Sequence, residues 1–205
     1  QFFMTVPFRK GILSVMLPDP SKDDNTCILY QLQVMFGFLQ ESKKKYFDTK
    51  RFCDSYKDIE GNPVNVMQQH DASEFFNLFF DKIEAALKGL PQEKLLKQVY
   101  GGVIANQLIY EDTISVNPEP FFILSLEIKN KKNILESLDL YVKSEMLEGD
   151  NKYYSESLGK LVDAEKRAIL KDLPNVLILH LKRFDFDFER MRNLKINDRC
   201  EFPQD

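Results

Sequence analysis

The chain has 205 residues, of which 43% are hydrophobic and 29% charged, so it is long and apolar enough to bury a sizeable core. Its formal net charge of −4 argues against a nucleic-acid-binding surface and favours a basic partner. No apolar run approaches membrane-spanning length, so we expect no membrane association. Three widely spaced cysteines argue against a disulfide framework and indicate a reducing, intracellular compartment, the cytoplasm with the nucleus as an alternative.

The first hundred residues are expected to be mostly helical. Residues 1–17 indicate a helix end followed by a short second helix, and residues 18–25 indicate a surface loop rich in proline and aspartate. A helix is predicted over residues 26–45, and another short one over residues 91–100. The apolar stripe of the 26–45 helix consists of Ile28, Leu32, Met35, Phe36 and Leu39.

A central helix is predicted over residues 67–89, MQQHDASEFFNLFFDKIEAALKG. Asp71 can cap its first turn, and Glu74 follows at the spacing of a capping box. Lys88 and Gly89 supply a C-terminal positive charge and a stop signal. Apolar residues recur at three- and four-residue steps and therefore share one face: Phe76, Phe79, Phe80, Ile83 and Leu87. The pattern predicts a core helix with an aromatic face and a polar beginning.

The second half of the sequence indicates strands. Residues 121–128 and 176–188 are each predicted to form one strand, and residues 133–142 to form a helix. Residues 148–159 are polar and rich in turn formers. Residues 194–202 alternate apolar and polar side chains, which predicts a strand that returns as a hairpin. Helices followed by strands indicate an α+β fold.

Two boxes in the sequence resemble the ubiquitin-specific proteases, the cysteine peptidases that remove ubiquitin. QQHDASEFF, at 68–76, resembles their Gln-Gln-Asp-Ala-x-Glu-Phe box. LPNVLILHLKRFDF, at 173–186, resembles their Leu-Pro-x-x-Leu-x-x-x-Leu-x-Arg-Phe strand, and NDRCEFP, at 197–203, extends the match. The resemblance implies that the chain is part of one papain-like catalytic domain. Residues 1–100 would form the helical thumb, and residues 101–205 the fingers and part of the palm.

The resemblance also indicates where the catalytic groups should be. Such an enzyme needs a thiolate, a histidine base and a residue that orients the imidazole. Cys27 follows Asn-Thr as in the family's Gly-Asn-Thr-Cys-Tyr box, but the flanking Gly and Tyr are missing. Residues 1–7 resemble the end of the family's cysteine helix, so we expect the nucleophile upstream of Gln1 and Cys27 to be a packing residue. We expect the histidine base downstream of Asp205, because no Gly-His-Tyr triplet is present and His180 lies within an apolar strand.

The expected reaction of the parent protein is thiol hydrolysis of the peptide or isopeptide bond after the C-terminal glycine of ubiquitin. On this interpretation the 205 residues contain no catalytic residue and are inactive alone. Two alternatives remain: a ubiquitin-binding or scaffold domain that has lost its catalytic cysteine, and a helical interaction module unrelated to ubiquitin.

The fingers of many relatives hold a structural zinc ion through two Cys-x-x-Cys pairs. Here Ser155 and Leu158 occupy the positions of one pair, and residues 106–117 lack the other. Zinc needs thiolate or imidazole ligands at close spacing. We therefore expect no metal and no cofactor, and fingers held together by packing.

A binding surface for the C-terminal tail of ubiquitin is the remaining expectation, and ubiquitin or ubiquitinated proteins are the expected partners. By resemblance, Asp71 and Glu74 would pair with arginines of the tail, since carboxylates form charge-assisted bonds to guanidinium. The full set implied by the resemblance is Gln69, His70, Asp71, Glu74, Phe184 and Phe186. A purely structural role in helix capping and aromatic packing is the alternative, and the two roles are compatible.

Overall fold

The computed structural model describes residues 1–17, 27–58, 60–62, 64–69 and 71–203. The chain divides into two compact units, Gln1–Val99 and Tyr100–Asp205. Helices build the first unit and strands most of the second, so the predicted α+β class is confirmed. The predicted surface loop at residues 18–25 lies outside the described residues. No helix in the described part of the chain is both long and apolar enough to cross a bilayer.

The first unit begins with a short 3₁₀ turn, in agreement with the predicted helix end, and continues through helices. The 3₁₀ turn is Phe2–Met4, and the helices are α1 (Val6–Leu13), α2 (Ile28–Glu41), α3 (Lys50–Ser55), α4 (Ala72–Leu87) and α5 (Leu95–Tyr100).

The core of the first unit is aromatic and centred on α4. Phe79 and Phe80 of α4 are each 1% exposed, and Ile83 and Leu87 continue the same buried face. The ring of Phe2 lies between 5.0 and 5.7 Å, centroid to centroid, from four other rings. Those four rings belong to Phe8, Phe76, Phe79 and Phe80. The predicted aromatic face of the central helix is therefore the face that packs.

Three helices are shorter than predicted. The predicted helix over residues 26–45 is α2, Ile28–Glu41, and the one over residues 91–100 is α5, Leu95–Tyr100. The central helix starts at Ala72 rather than at residue 67, because Asp71 is extended and caps it. It ends as predicted, since Gly89 has a φ of +78°, in the left-handed region that glycine tolerates. In α2, the predicted stripe residue Leu39 is 47% exposed, whereas Gln31, which was not predicted to be buried, is 1% exposed.

The second unit contains ten strands, one α-helix and one 3₁₀ turn (Gly149–Asn151) among its described residues. The strands are β1 (Gly102–Tyr110), β2 (Thr113–Phe121), β3 (Ile123–Glu127), β4 (Glu145–Leu147), β5 (Tyr153–Ser155), β6 (Lys160–Val162), β7 (Ala164–Asp172), β8 (Ile178–Lys182), β9 (Phe184–Asp187) and β10 (Arg192–Lys195); the helix is α6 (Ile134–Val142). A four-stranded sheet has the order β2-β1-β7-β4, and its neighbouring strands are antiparallel. Three strand pairs complete the unit: β3 parallel to β8, and the antiparallel pairs β5–β6 and β9–β10.

Two apolar clusters hold this second unit together. In one, Ile104, Leu124 and Leu126 are buried, and side chains of α6, β7 and β8 pack around them. In the other, Tyr110 is buried with Val162 and Ala164, and further side chains surround them. The clusters place a hydrophobic layer along β1, which contributes Ile104 to one and Tyr110 to the other.

The predicted single strand over residues 176–188 is wrong. The chain forms β8 and β9 instead and breaks at Arg183 between them. Arg183 donates hydrogen bonds from Nη1 to the carbonyls of Ile196 (3.2 Å) and Asp198 (3.1 Å). β8 pairs with β3, whereas β9 pairs with β10, so the two segments belong to different ladders.

The predicted hairpin exists but is shorter than expected. Leu194 lies opposite Asp185 in the β9–β10 ladder. The returning strand covers Arg192–Lys195, not residues 194–202. Beyond it, Glu201 forms an isolated bridge with Asn133, the N-cap residue of α6.

Two glycines offer a matched test of this packing. At Gly102 a Cβ would collide with the ring of Phe121 and lie 2.9 Å from the carbonyl oxygen of Asp172. At Gly37, inside α2, a Cβ would meet nothing within 4 Å. We expect Gly102→Ala to lower the free energy of unfolding by about 1–3 kcal/mol through overpacking. We expect Gly37→Ala to raise it by about 0.4–1 kcal/mol because the unfolded chain loses freedom.

Urea denaturation of both variants, followed by far-UV circular dichroism, measures the difference. Equal effects of the two substitutions would contradict the packing of β1 described above.

Candidate functional site

The start of α4 holds two carboxylates. Asp71 is the N-cap residue, and its Oδ1 accepts hydrogen bonds from the backbone N–H groups of Ser73 (2.8 Å) and Glu74 (3.2 Å). The hydroxyl of Ser73 also donates to this oxygen. The predicted cap is therefore confirmed. Both carboxylates are exposed, and the positive end of the helix dipole stabilises their charge.

An aromatic pair supports this helix start. The rings of Tyr56 and Phe75 lie 5.2 Å apart, and the Tyr56 hydroxyl donates a long hydrogen bond (3.5 Å) to the Phe75 carbonyl. Phe75 in turn stacks on Phe79 of the core, with a centroid distance of 5.8 Å and an interplanar angle of 9°. The pair is thus anchored to the aromatic core rather than free at the surface.

Tyr56 and Phe75 border two grooves of the first unit. The groove of about 380 Å³, here called the Asp71 groove, also includes Gln68 and Asp71 in its lining. The groove of about 360 Å³, here called the Glu74 groove, is lined by three carboxylates besides the aromatic pair. These three carboxylates belong to Asp58, Glu60 and Glu74.

Burial raises the pKa of Tyr56, which borders both grooves. Tyr56 is 6% exposed, and desolvation together with the neighbouring carboxylate of Glu74 raises its pKa from the ordinary value of 10.0 to about 12. The phenol therefore stays neutral in the physiological range. The ammonium of Lys82 lies 5.7 Å from the centroid of the Tyr56 ring. Carboxylates beside aromatic faces suit a cationic guest such as a guanidinium group.

The structure brings some of the predicted site residues together. Gln69 is exposed immediately before α4, and Asp71 and Glu74 share its first turn. His70 lies outside the described residues. Phe184 and Phe186 belong to β9 of the second unit, where they are 67% and 38% exposed.

The side chains of Phe184 and Phe186 project to the same face of β9, because they are two residues apart in a strand. The ring of Phe186 also contacts that of Phe188, with a centroid distance of 5.1 Å. Their binding roles, like those of the carboxylates on α4, stay predictions.

Neither the aromatic pair nor the two acidic residues that precede the helix were predicted from the sequence. No sequence pattern links Tyr56 to Phe75, because the two side chains meet only through tertiary packing. Asp58 and Glu60 could have been found, because they lie two residues apart shortly ahead of the Gln box.

Free thiols and one strand histidine are the described groups with catalytic potential. Cys27 is the N-cap residue of α2, and its thiol makes no capping bond. Cys27, Cys53 and Cys200 are all half-buried and unbridged. His180 lies opposite Ser125 in the β3–β8 ladder, with Nδ1 3.2 Å from the Ser125 Oγ. This satisfied strand position agrees with the interpretation of His180 as a structural residue.

The predicted zinc-free hairpin contains β5 and β6. Ser155 is 1% exposed, and its Oγ lies 3.0 Å from that of Ser157, while Leu158 is 42% exposed. The ring of Tyr153, in β5 of this hairpin, lies 5.5 Å from that of Tyr110 in β1. Within the described ranges, no group of three or more potential metal ligands is assembled. The metal-free state of the fingers stays a prediction.

The family model described as "Ubiquitin carboxyl-terminal hydrolase" matches residues 1–205. This chain belongs to the ubiquitin carboxyl-terminal hydrolase family. The predicted resemblance to the ubiquitin-specific proteases is therefore confirmed.

Curated relatives of this family are similar over nearly the whole chain. Ubiquitin carboxyl-terminal hydrolase 9X of Mus musculus is 42% identical over 186 residues, which are 90% of this chain and 7% of that protein. The probable ubiquitin carboxyl-terminal hydrolase FAF of Drosophila melanogaster is 34% identical over 203 residues, 98% of this chain and 7% of that protein. The chain thus spans only about 7% of the length of these hydrolases.

A solved structure shares the fold. The SAGA Ubp8/Sgf11/Sus1/Sgf73 DUB module bound to ubiquitin aldehyde contains a chain that matches with a TM-score of 0.78 and 24% identity. The match covers 98% of this chain and 47% of that one. The fold of this hydrolase catalytic domain, predicted from the two sequence boxes, is therefore confirmed.

The shifted titration of Tyr56 leads to a pH-dependent stability. Because the folded chain holds the phenolic proton more tightly than the unfolded chain, Tyr56 stabilises the fold fully below pH 10. This contribution is lost as the pH rises from 10 towards 12. We expect Tyr56→Phe to lose less unfolding free energy than the unaltered chain across this interval.

Urea denaturation at several alkaline pH values measures how steeply the free energy of unfolding falls with pH. Tyr46→Phe is the matched control, because Tyr46 is 81% exposed. Identical slopes for Tyr56→Phe and the unaltered chain would contradict the coupling between burial of Tyr56 and its titration.

Proposed function

We propose that this chain is part of a deubiquitinating cysteine peptidase that hydrolyses peptide or isopeptide bonds after the C-terminal glycine of ubiquitin. Membership in the ubiquitin carboxyl-terminal hydrolase family supports the reaction. The fold shared with a module bound to ubiquitin aldehyde supports ubiquitin as the partner. An intracellular site of action belongs to the proposal, and the free cysteines support it.

The pair of carboxylates at the start of α4 is the observation that carries the proposal. Asp71 is held by two backbone N–H groups, and Glu74 lies one turn along the helix. Because the capping bonds fix Asp71, little side-chain entropy is lost when a guanidinium binds. We propose that arginines of the ubiquitin tail bind in the Asp71 and Glu74 grooves.

Four further predicted residues complete the proposed tail-binding set. Gln69 and His70 would contribute polar contacts beside the helix start, by resemblance to the family. Phe184 and Phe186 would flank the extended tail, and their exposure on β9 supports this role.

The proposal assigns the catalytic groups to the parent protein, with the nucleophile upstream of Gln1 and the histidine base downstream of Asp205. Two observations support this assignment. Residues 1–7 resemble the end of the family's cysteine helix, and His180 is engaged with Ser125 in a strand ladder. A catalytically inactive ubiquitin-binding domain is the alternative, and the same grooves would serve it.

Asp71→Asn separates tail recognition from helix capping. Asparagine caps a helix about as well as aspartate, so we expect the melting temperature to change little. The lost charge removes the charge-assisted pairing with a guanidinium, worth about 1.5–3 kcal/mol, which is roughly ten- to a hundredfold in affinity for ubiquitin.

Calorimetric titration with ubiquitin measures the affinity in the full-length parent protein. Asp81→Asn is the matched control, because Asp81 is exposed further along α4. Unchanged ubiquitin affinity in Asp71→Asn would return Asp71 to a purely structural role.

We expect the 205-residue chain alone to show no turnover of a fluorogenic ubiquitin C-terminal substrate, because its nucleophile and base lie elsewhere in the parent. Cys27→Ser is the diagnostic variant. Turnover by the chain that disappears in Cys27→Ser would identify Cys27 as the nucleophile and refute the assignment.

The parent protein distinguishes the two candidate functions. Turnover by the parent supports the hydrolase, whereas ubiquitin binding without turnover favours the inactive binding domain. Absence of both would leave a helical interaction module with no ubiquitin role.

A further inference from the structure

A third cavity of the first unit lies between α2 and the segment that leads into α3. It encloses about 360 Å³. Val34 and Phe38 of α2 contribute to its lining, and Phe47 packs against Phe38 with a centroid distance of 5.0 Å. Tyr46, which also lines the cavity, is 81% exposed. The cavity therefore has aromatic walls and an aromatic side chain exposed to solvent.

A buried amide in this cavity has no hydrogen-bond partner among the described residues. Gln31 is 1% exposed and belongs to the cavity lining. Its Nε2 has no hydrogen-bond acceptor among the described residues. Native proteins leave few buried polar groups unpaired, because each one costs the desolvation of that group. A carbonyl or carboxylate oxygen on a ligand would satisfy this amide.

Positive charge is concentrated around the same cavity. Lys44 and Arg51 line it, and Lys43, Lys45 and Lys50 are their close neighbours in the sequence. The ammonium of Lys44 makes no ion pair with any described residue. This basic stretch contrasts with the net charge of −4 of the whole chain.

The carboxylate of Asp48 opposes these cations within the cavity lining. Its Oδ1 accepts a hydrogen bond from the backbone N–H of Lys50 (2.9 Å) at the start of α3. Asp48 thus stabilises the first turn of α3. The lining of the cavity holds two cations, Lys44 and Arg51, against this one carboxylate, which favours an anionic ligand.

We propose that this basic cavity binds an acidic peptide segment of a partner protein. An apolar side chain of the peptide occupies the space beside Phe38 and Phe47, and its carboxylates pair with Lys44 and the neighbouring cations. A peptide oxygen reaches the amide of Gln31. The ligand differs in charge from the basic ubiquitin tail proposed for the Asp71 and Glu74 grooves, so this inference is independent of the proposed function.

A nucleic acid fits these observations less well than an acidic peptide. Binding of a phosphate backbone relies on cations spread along an extended track. Here two cations, Lys44 and Arg51, line one cavity with apolar walls, in a chain whose net charge is negative. Such a cavity suits a peptide side chain flanked by carboxylates.

Fluorescence anisotropy with the full chain tests the proposal. The probes are a pool of fluorescein-labelled peptides. Each peptide has one apolar residue and glutamate or aspartate at every other position, and the peptides differ in which apolar residue they contain. We expect binding that weakens as the salt concentration rises. Lys44→Glu should weaken it roughly tenfold or more, since it replaces an attraction by a repulsion. Tyr46→Ala should also weaken it, without a change in melting temperature, because Tyr46 is largely exposed.

Lys97→Glu is the matched control, because it makes the same charge change at an exposed position of α5 in the same unit. Binding that survives Lys97→Glu and is lost in Lys44→Glu supports the proposal. Absence of binding by every peptide of the pool, or equal loss in both charge variants, overturns it.

The same variants also test two other occupants of the cavity, a nucleic acid and a second copy of the chain. Tighter binding of a labelled single-stranded oligonucleotide than of any peptide would reassign the cavity to nucleic acid and overturn the proposal. A dimer in sedimentation equilibrium that Lys44→Glu dissociates would assign the cavity to a second copy of the chain, with the same consequence.

Discussion

The aromatic packing of α4 is the constraint on which the first unit depends. The ring of Phe2 contacts the rings of Phe76, Phe79 and Phe80, so one side chain fixes three positions along the helix. Burial decreases towards the helix start, where Phe75 is 37% exposed. The helix is therefore held firmly by its later turns, and its first turn is left to solvent. Carboxylates can be displayed there because Asp71 satisfies the free N–H groups that such an exposed end would otherwise leave unpaired.

Helices were the predictable part of this fold, because their signals are local. The three- and four-residue spacing of α4 identified its buried face, and Gly89 marked its end, whereas its start lies at Ala72 and not at the predicted residue 67. The predicted helix over residues 133–142 is α6, capped by the Asn133 side chain, which accepts from the backbone N–H of Glu136 at 2.9 Å. Where prediction failed in α2, at Gln31 and Leu39, the cause is packing against neighbours that the helical period does not encode.

Strands were less predictable, for reasons particular to each. β2 contains Pro118 and Pro120 and is exposed along nearly its whole length, so it has no buried alternation to detect. Its place at the edge of the four-stranded sheet explains why it tolerates prolines, which lack the N–H needed by a central strand. The break at Arg183 could not be predicted, because its cause is distant in sequence. The guanidinium donates hydrogen bonds to carbonyls thirteen and fifteen residues later.

The two proposed binding surfaces of the first unit differ in sign, and this difference bears on specificity. Sequence reasoning identified Asp71 and Glu74, whose charges are local and exposed, but not Tyr56 and Gln31, whose importance arises from burial. A basic ubiquitin tail is attracted to the carboxylates of α4 and repelled by the cations near Lys44, and an acidic peptide experiences the reverse. On these proposals, one small unit can bind two ligands without competition between them, because each surface excludes the other's ligand by charge. Aromatic side chains line both surfaces, so the sign of the surrounding charge, rather than apolar contact, decides which ligand each one accepts.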